Sequence, residues 1–142
     1  MRGNSEVIAL INLRLSELYN AILQFNTHAI LCDSLGLPDL KRSLMDMASK
    51  KMDYAIKLTH RIISLEGVVN LNNINTVDIG DDIFIIMQYN HITEMNAISN
   101  LIDSITIAMK FQDYVTMEIL EHILRNSDEN LTYIEISSRK IS

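Results

Sequence analysis

Four stretches of the chain place apolar residues at alternating intervals of three and four, which brings them onto one face of an α-helix. The first stretch has an apolar stripe formed by Ile8, Ile11, Leu15, Leu18, Ile22, Phe25 and Ala29. The second stripe runs from Leu40 to Leu65, the third passes Met87 and Ala97, and the fourth passes Ile123 and Ile134. The pattern predicts four long helices that bury these stripes against one another.

Polar residues interrupt three of the four stripes near their midpoints, whereas the first stripe keeps Leu18 there. In the second, third and fourth stripes the interrupting residues are Lys51 and Tyr54, Asn90 and Glu94, and Ser127 and Asn130. Burying a lysine or glutamate whose partner is missing costs about 3–5 kcal/mol. We therefore expect Lys51 and Glu94 to form a buried ion pair, with Tyr54, Ser127 and Asn130 supplying hydrogen bonds. The alternative is simple decay, in which these polar residues are tolerated and have no role.

The helix ends are marked by capping residues. We expect helices over about 5–34 and 38–66, a third beginning near residue 81, and a fourth from residue 113 to near the C-terminus. Gly36 suits the end of the first helix, and Pro38 suits the first turn of the second. Asp81 and Asp82 suit the start of the third helix, and Asp113 can cap the fourth.

A long connection between the second and third helices fixes the expected topology. The segment from Gly67 to Gly80 can span about 45 Å when extended, which is the length of the bundle, so it can leave these two helices parallel. One long crossover with two short turns is the ferritin-like arrangement of a four-helix bundle. We predict an all-α fold in one domain over residues 1–142.

Composition narrows the class of protein. The 142 residues include one proline and four glycines, and 48% are hydrophobic, as expected for long helices. The net charge of −6 argues against nucleic acid and allows attraction of cations. No apolar run reaches the roughly 18 residues of a membrane span, and the N-terminus does not resemble a signal peptide. Cys32, the single cysteine, fits a reducing, cytoplasmic location.

The sequence resembles the bacterioferritins over almost its whole length. The segments that carry the likeness are MRG at 1–3, QFNTHA at 24–29, GL at 36–37, RIISLEG at 61–67, NL at 70–71, IG at 79–80, QDYV at 112–115 and ILR at 123–125. The resemblance implies a subunit of a hollow, multi-subunit shell that oxidises ferrous iron and stores it as a ferric mineral. It also implies haem, held at two-fold interfaces by a methionine from each subunit.

The resemblance places this family's di-iron ligands on positions that have mostly lost them. In order along the chain these positions are Leu18, Lys51, Tyr54, Glu94, Ser127 and Asn130, of which Glu94 alone keeps the expected ligand. Glu17 lies next to Leu18 but about 100° round the helix, so we do not expect it to substitute. The expected subunit therefore lacks its own ferroxidase centre.

Met52 stands at the position of the haem ligand, and a thioether suits ferrous haem b. Asn26, Met45 and Asp53 replace residues more usual in the family, and an aspartate would repel a haem propionate. We expect homo-oligomers, or a mixed shell with a ferroxidase-competent subunit. Ferroxidase activity through other carboxylates and a purely structural bundle remain open alternatives. The family's short fifth helix is expected to be absent, because the sequence given ends at Ser142.

Overall fold

The computed structural model describes residues 3–75 and 77–141, and within them it contains four α-helices and no strand. The helices are α1 (Ser5–Ser34), α2 (Pro38–Ser64), α3 (Ile83–Lys110) and α4 (Tyr114–Ile141). The predicted all-α bundle is confirmed, with helix boundaries within about two residues of those expected. Met1 and Arg2, two positions of the family resemblance, lie outside the described residues, as does Ser142.

The predicted capping residues account for the helix ends. Gly36 follows the last turn of α1 with a φ of 76°, a conformation that glycine adopts without strain. Pro38 occupies the first turn of α2, where its missing N–H costs no hydrogen bond. The Asp82 carboxylate accepts hydrogen bonds from the first amides of α3. Asp113 caps α4 in the same way by accepting from the Thr116 amide at 3.0 Å.

Two hydrophobic clusters occupy the two ends of the bundle and leave a polar layer between them. Representative members of one cluster, one from each helix, are Leu15, Leu58, Leu101 and Leu120, and the corresponding members of the other are Phe25, Leu44, Ile86 and Ile134. The end of α2 and the end of α3 share the first cluster, so these two helices run parallel, as predicted. α1 packs with α2, and α3 with α4, as two antiparallel hairpins.

The crossover is held along α1 by side chains spaced eight residues apart. Asn12 donates to the Val68 carbonyl at 2.9 Å, and Asn20 accepts from the Asn75 amide at 3.2 Å. His28 then reaches the Ile79 carbonyl, with its Nε2 at 2.6 Å. The connection therefore runs the length of the bundle beside α1. Within the described residues, no helix is long and apolar enough to cross a membrane.

Candidate functional site

The polar layer is centred on an ion pair between α2 and α3. The Nζ of Lys51 lies 2.8 Å from Oε1 of Glu94, and the two side chains are 2% and 0% exposed. Both residues interrupt an apolar stripe. Each lies four residues after another buried residue of its helix, Met47 or Asn90, so its side chain also points into the core. The predicted buried ion pair is present.

The residues around the pair supply only some of the contacts that its charged atoms need. The Lys51 ammonium also lies 5.5 Å from the centroid of the Phe25 ring, where a cation is attracted to the face of the ring. Glu94 Oε2 is buried without a hydrogen-bond partner, and so is Ser127 Oγ. A cavity of about 10 Å³, lined by Lys51, Glu94 and Ser127 among others, adjoins them. It has about the minimum volume that holds one water molecule, which could serve these two oxygens.

The hydrogen bonds predicted from the other interrupting residues are wrong. Ser127 Oγ has no partner, and Asn130 donates to Asn126 within α4 at 3.4 Å. Tyr54 is partly buried and packs against one hydrophobic cluster, and its ring faces Lys57. Neither Ser127 nor Asn130 therefore hydrogen-bonds to the pair. Leu18 is buried in the same hydrophobic cluster as Tyr54.

Glu17 lies beside the site, and the expectation that it does not substitute as a metal ligand stays a prediction. Glu17 and Leu18 both line the cavity beside the ion pair. Burial raises the pKa of Glu17, although Arg14, a hydrogen bond from Asn100 and the Lys51 charge oppose that shift. The Asn100 amide donates to Glu17 Oε2 at 2.6 Å. Since a glutamate has three rotatable bonds, its carboxylate can reach a direction that its Cα–Cβ bond does not indicate.

A second polar network, anchored on His28, lies next to the pair. His28 is fully buried, and its Nδ1 lies 2.8 Å from Oδ1 of Asn90. Gln24 donates to the same Asn90 oxygen at 3.0 Å and to Thr93 Oγ1 at 2.8 Å. The network joins α1 to α3 and, through Ile79, to the crossover. His28 is thus a structural histidine, because both of its ring nitrogens are engaged within the fold.

The donor set in the polar layer does not fit a pair of iron ions. The Lys51 ammonium binds Glu94, the one carboxylate among these residues. Its positive charge would also repel iron ions placed in this layer. Ser127 and Asn130 are weak neutral donors in place of a carboxylate and an imidazole. Among residues 3–75 and 77–141, no three His, Cys, Asp or Glu side chains come together as a metal site.

Met52 lies apart from this layer, on the outer side of α2. Its side chain is partly buried against a hydrophobic cluster, and Met45, Ile56 and Ile63 repeat along the same helix face and are exposed. Asp53 is exposed directly beside it. A thioether in apolar surroundings fits a haem iron ligand, whereas Asp53 offers nothing to a propionate.

These features define a four-helix bundle whose central polar layer is built round a buried ion pair. A family model for the ferritin-like domain matches residues 8–140, and the chain belongs to that family. It is similar to a bacterioferritin of Streptomyces coelicolor, with 29% identity over 95% of this chain and 81% of that protein. It is 26% identical to bacterioferritin BfrA of Mycobacterium tuberculosis and to a bacterioferritin of Brucella melitensis. Both alignments cover 95% of this chain, with 85% and 84% of those proteins.

Proposed function

We propose that this chain is a bacterioferritin-like shell subunit for iron storage that does not oxidise iron within its own bundle. The Lys51–Glu94 ion pair is the observation that carries this proposal. An ammonium fixed 2.8 Å from the one remaining family ligand neutralises the carboxylate and repels ferrous iron. The other family positions, Leu18, Tyr54, Ser127 and Asn130, supply no carboxylate or imidazole.

Iron is the cargo in this proposal, and its oxidation belongs to another subunit. A mixed shell, in which this chain contributes wall and interior and a ferroxidase-competent subunit supplies ferric iron, accounts for the altered layer. Homo-oligomers would then store iron only as fast as ferrous iron oxidises in solution. A cytoplasmic location goes with the buried, unpaired Cys32.

The enzymatic alternative rests on Glu17. Glu17 and Glu94 line one cavity, so this alternative requires Lys51 to move away and release Glu94. The present geometry disfavours this alternative, because Arg14 and Asn100 already hold the Glu17 carboxylate. The remaining alternative is a structural bundle that assembles without storing iron.

Haem binding through Met52 is the second part of the proposal. The spacing of Met45, Met52, Ile56 and Ile63 makes one apolar stripe on α2, and Leu23 and Ile30 extend the apolar surface onto α1. A two-fold contact between such faces would bring one thioether from each copy to a shared haem. A haem held there would supply one-electron redox chemistry.

Iron loading of the chain alone and in mixed shells tests the main proposal. We expect the pure chain to oxidise ferrous iron no faster than buffer and to bind none stoichiometrically under anaerobic conditions. Co-expression with a ferroxidase-competent bacterioferritin should give one particle by light scattering, whose oxidation rate scales with the fraction of that partner. The partner alone, at matched concentration, is the control.

Two results would contradict this proposal in different ways. Stoichiometric anaerobic binding with fast oxidation by the pure chain would favour the enzymatic alternative. A stable monomer or dimer that never joins a larger particle, with or without the partner, would favour the structural one.

A further inference from the structure

The face of α3 that points away from the bundle carries large apolar residues from one end of the helix to the other. α3 packs on α4 and α1, and its opposite side is exposed. The large apolar residues on that side are Ile85, Ile92, Met95, Ile102 and Met109, each 38–52% exposed. Their positions differ by seven, three, seven and seven residues, which is a heptad pattern. The stripe is about 36 Å long at 1.5 Å per residue.

The same face carries almost no charge. Its exposed polar residues include Gln88, Asn96, Ser99 and Thr106, and the formal charges exposed on α3 are Asp103 and Lys110. The exposed side of α4 differs, because it carries charged residues along its length: Glu118, Arg125, Asp128, Glu129, Arg139 and Lys140. A long, heptad-spaced and nearly uncharged helix face is a surface for another helix.

Charge at the two ends of the stripe favours a second copy of this chain as the partner. Exposed acidic residues, Asp81 and Asp82, stand at the start of α3, and exposed Lys110 stands at its end. If two copies of α3 pair antiparallel about a two-fold axis near residue 97, Ile92 faces Ile102 and Ile85 faces Met109. Lys110 of each copy then lies within about one helical turn of Asp81 of the other.

We propose that this chain associates through the outer face of α3, paired antiparallel with α3 of a second copy. The contact is separate from the face that contains Met52, which lies on α2. Contacts through α1 and α2 produce either a small oligomer or a shell. The α3 contact can then join two of these assemblies. The proposal does not depend on iron storage or on haem.

Cysteine cross-linking tests the register. In an antiparallel pair centred near residue 97, two copies of position 99 lie about 6 Å apart along the helix axis, and two copies of position 106 about 27 Å apart. We expect Ser99→Cys to form a covalent dimer with a short bis-maleimide. Thr106→Cys, on the same face, should not do so. Cys32 is fully buried, so wild-type protein measures the background reaction.

Sedimentation velocity over a concentration series tests the surface itself. Wild-type protein should show a species heavier than its smallest assembly, and the fraction of this species should increase with protein concentration. Ile102→Glu should reduce that species at least tenfold, whereas Ile136→Glu, at a comparably exposed apolar position on α4, should leave it unchanged. Lys110→Glu should weaken it, and adding Asp81→Lys to that variant should restore it.

The outcomes that overturn the proposal are distinct from failure of the storage function. No cross-link at position 99, or equal loss with Ile102→Glu and Ile136→Glu, would refute self-pairing through α3. Binding of wild-type protein to uncharged lipid vesicles that is abolished by Ile102→Glu, without any self-association, would assign the face to a membrane surface instead. The smallest assembly and its iron loading are measured separately and decide the storage proposal.

Discussion

Lys51 and Glu94 meet at 2.8 Å between α2 and α3, midway along the bundle and out of contact with solvent. The pair separates the two hydrophobic clusters and lies against the Phe25 ring. Two charges in so dry a place cost desolvation energy that their attraction repays only partly. The pair therefore leaves neither buried charge without a partner, but it is only weak evidence of extra stability.

A double-mutant cycle measures this coupling. Lys51→Met or Glu94→Leu alone should lower the free energy of unfolding by about 3–5 kcal/mol, because each leaves one buried charge without a partner. The double variant should lie within about 2 kcal/mol of wild type, since both charges are then removed. Denaturant unfolding followed by circular dichroism gives all four values. The exposed pair Arg42 and Asp39 is the control, with a coupling below about 1 kcal/mol.

Restoring the family's ligands should create a metal site. The variant carries five substitutions: Leu18→Glu, Lys51→Glu, Tyr54→His, Ser127→Glu and Asn130→His. We expect it to bind two equivalents of Co²⁺ under anaerobic conditions, with a visible ligand-field spectrum and a raised melting temperature, because metal binding stabilises the folded state. Wild-type protein should show neither change.

The matched control for the restored site is the same variant with Glu94→Gln added. It keeps the introduced ligands and loses the native carboxylate, so its affinity for Co²⁺ should fall by at least tenfold. If the restored variant folds, as judged by its helical circular dichroism, and still binds no metal, the assignment of these positions is wrong.

The helices and their order were predictable because local rules determine them. The periodicity of residues such as Leu15 and Leu44 sets which face is buried, and Gly36, Asp82 and Asp113 mark the ends. The segment from Gly67 to Gly80 is long enough to span the bundle, which favours the topology with α2 and α3 parallel. None of these inferences depends on the direction of a side chain.

The details of the polar layer were less predictable, because they depend on rotamers and reach. Helical spacing brought Lys51 and Glu94 together correctly, since both side chains are long enough to meet from neighbouring helices. The same reasoning did not show that Glu17 would line the cavity beside the pair, or that Ser127 Oγ would have no hydrogen-bond partner. The role of Phe25 under the ammonium was hidden within an apolar stripe.

Haem binding depends on Met52 if the second part of the proposed function is correct. Wild-type protein reconstituted with haemin should show a Soret band that shifts on reduction, and Met52→Leu should lose it. Met117→Leu, another partly buried methionine packed on the same hydrophobic cluster, should retain it. A wild type that stays colourless after reconstitution would rule out the assignment, whatever the iron-loading results show.

His28 should control how firmly the crossover is held. In His28→Leu the Ile79 carbonyl loses its ring-nitrogen partner, and we expect a loss of about 1–3 kcal/mol in the free energy of unfolding. Hydrogen exchange should quicken most in the segment that leads into α3, around residues 77–82. His60→Leu, at an exposed position, is the control. Unchanged exchange there in His28→Leu would show that the other crossover contacts suffice.

Acid should weaken the ion pair that links Arg61 of α2 to Asp113 at the start of α4. Burial alone would raise the pKa of Asp113, but hydrogen bonds from Thr116 and Arg61 and the Arg61 charge outweigh it and lower that pKa. Because the folded-state pKa is below that of the unfolded chain, the stabilisation is complete above about pH 4 and is lost as the pH falls further.

Asp113→Asn removes the carboxylate that binds Arg61 at 2.8 Å and should cost about 1 kcal/mol at pH 7. The difference from wild type should shrink toward pH 3 in urea unfolding, whereas Asp128→Asn, at an exposed position on α4, should follow wild type throughout. A difference that stays constant from pH 7 to pH 3 would mean that the carboxylate acts only through its cap on α4, which asparagine also provides.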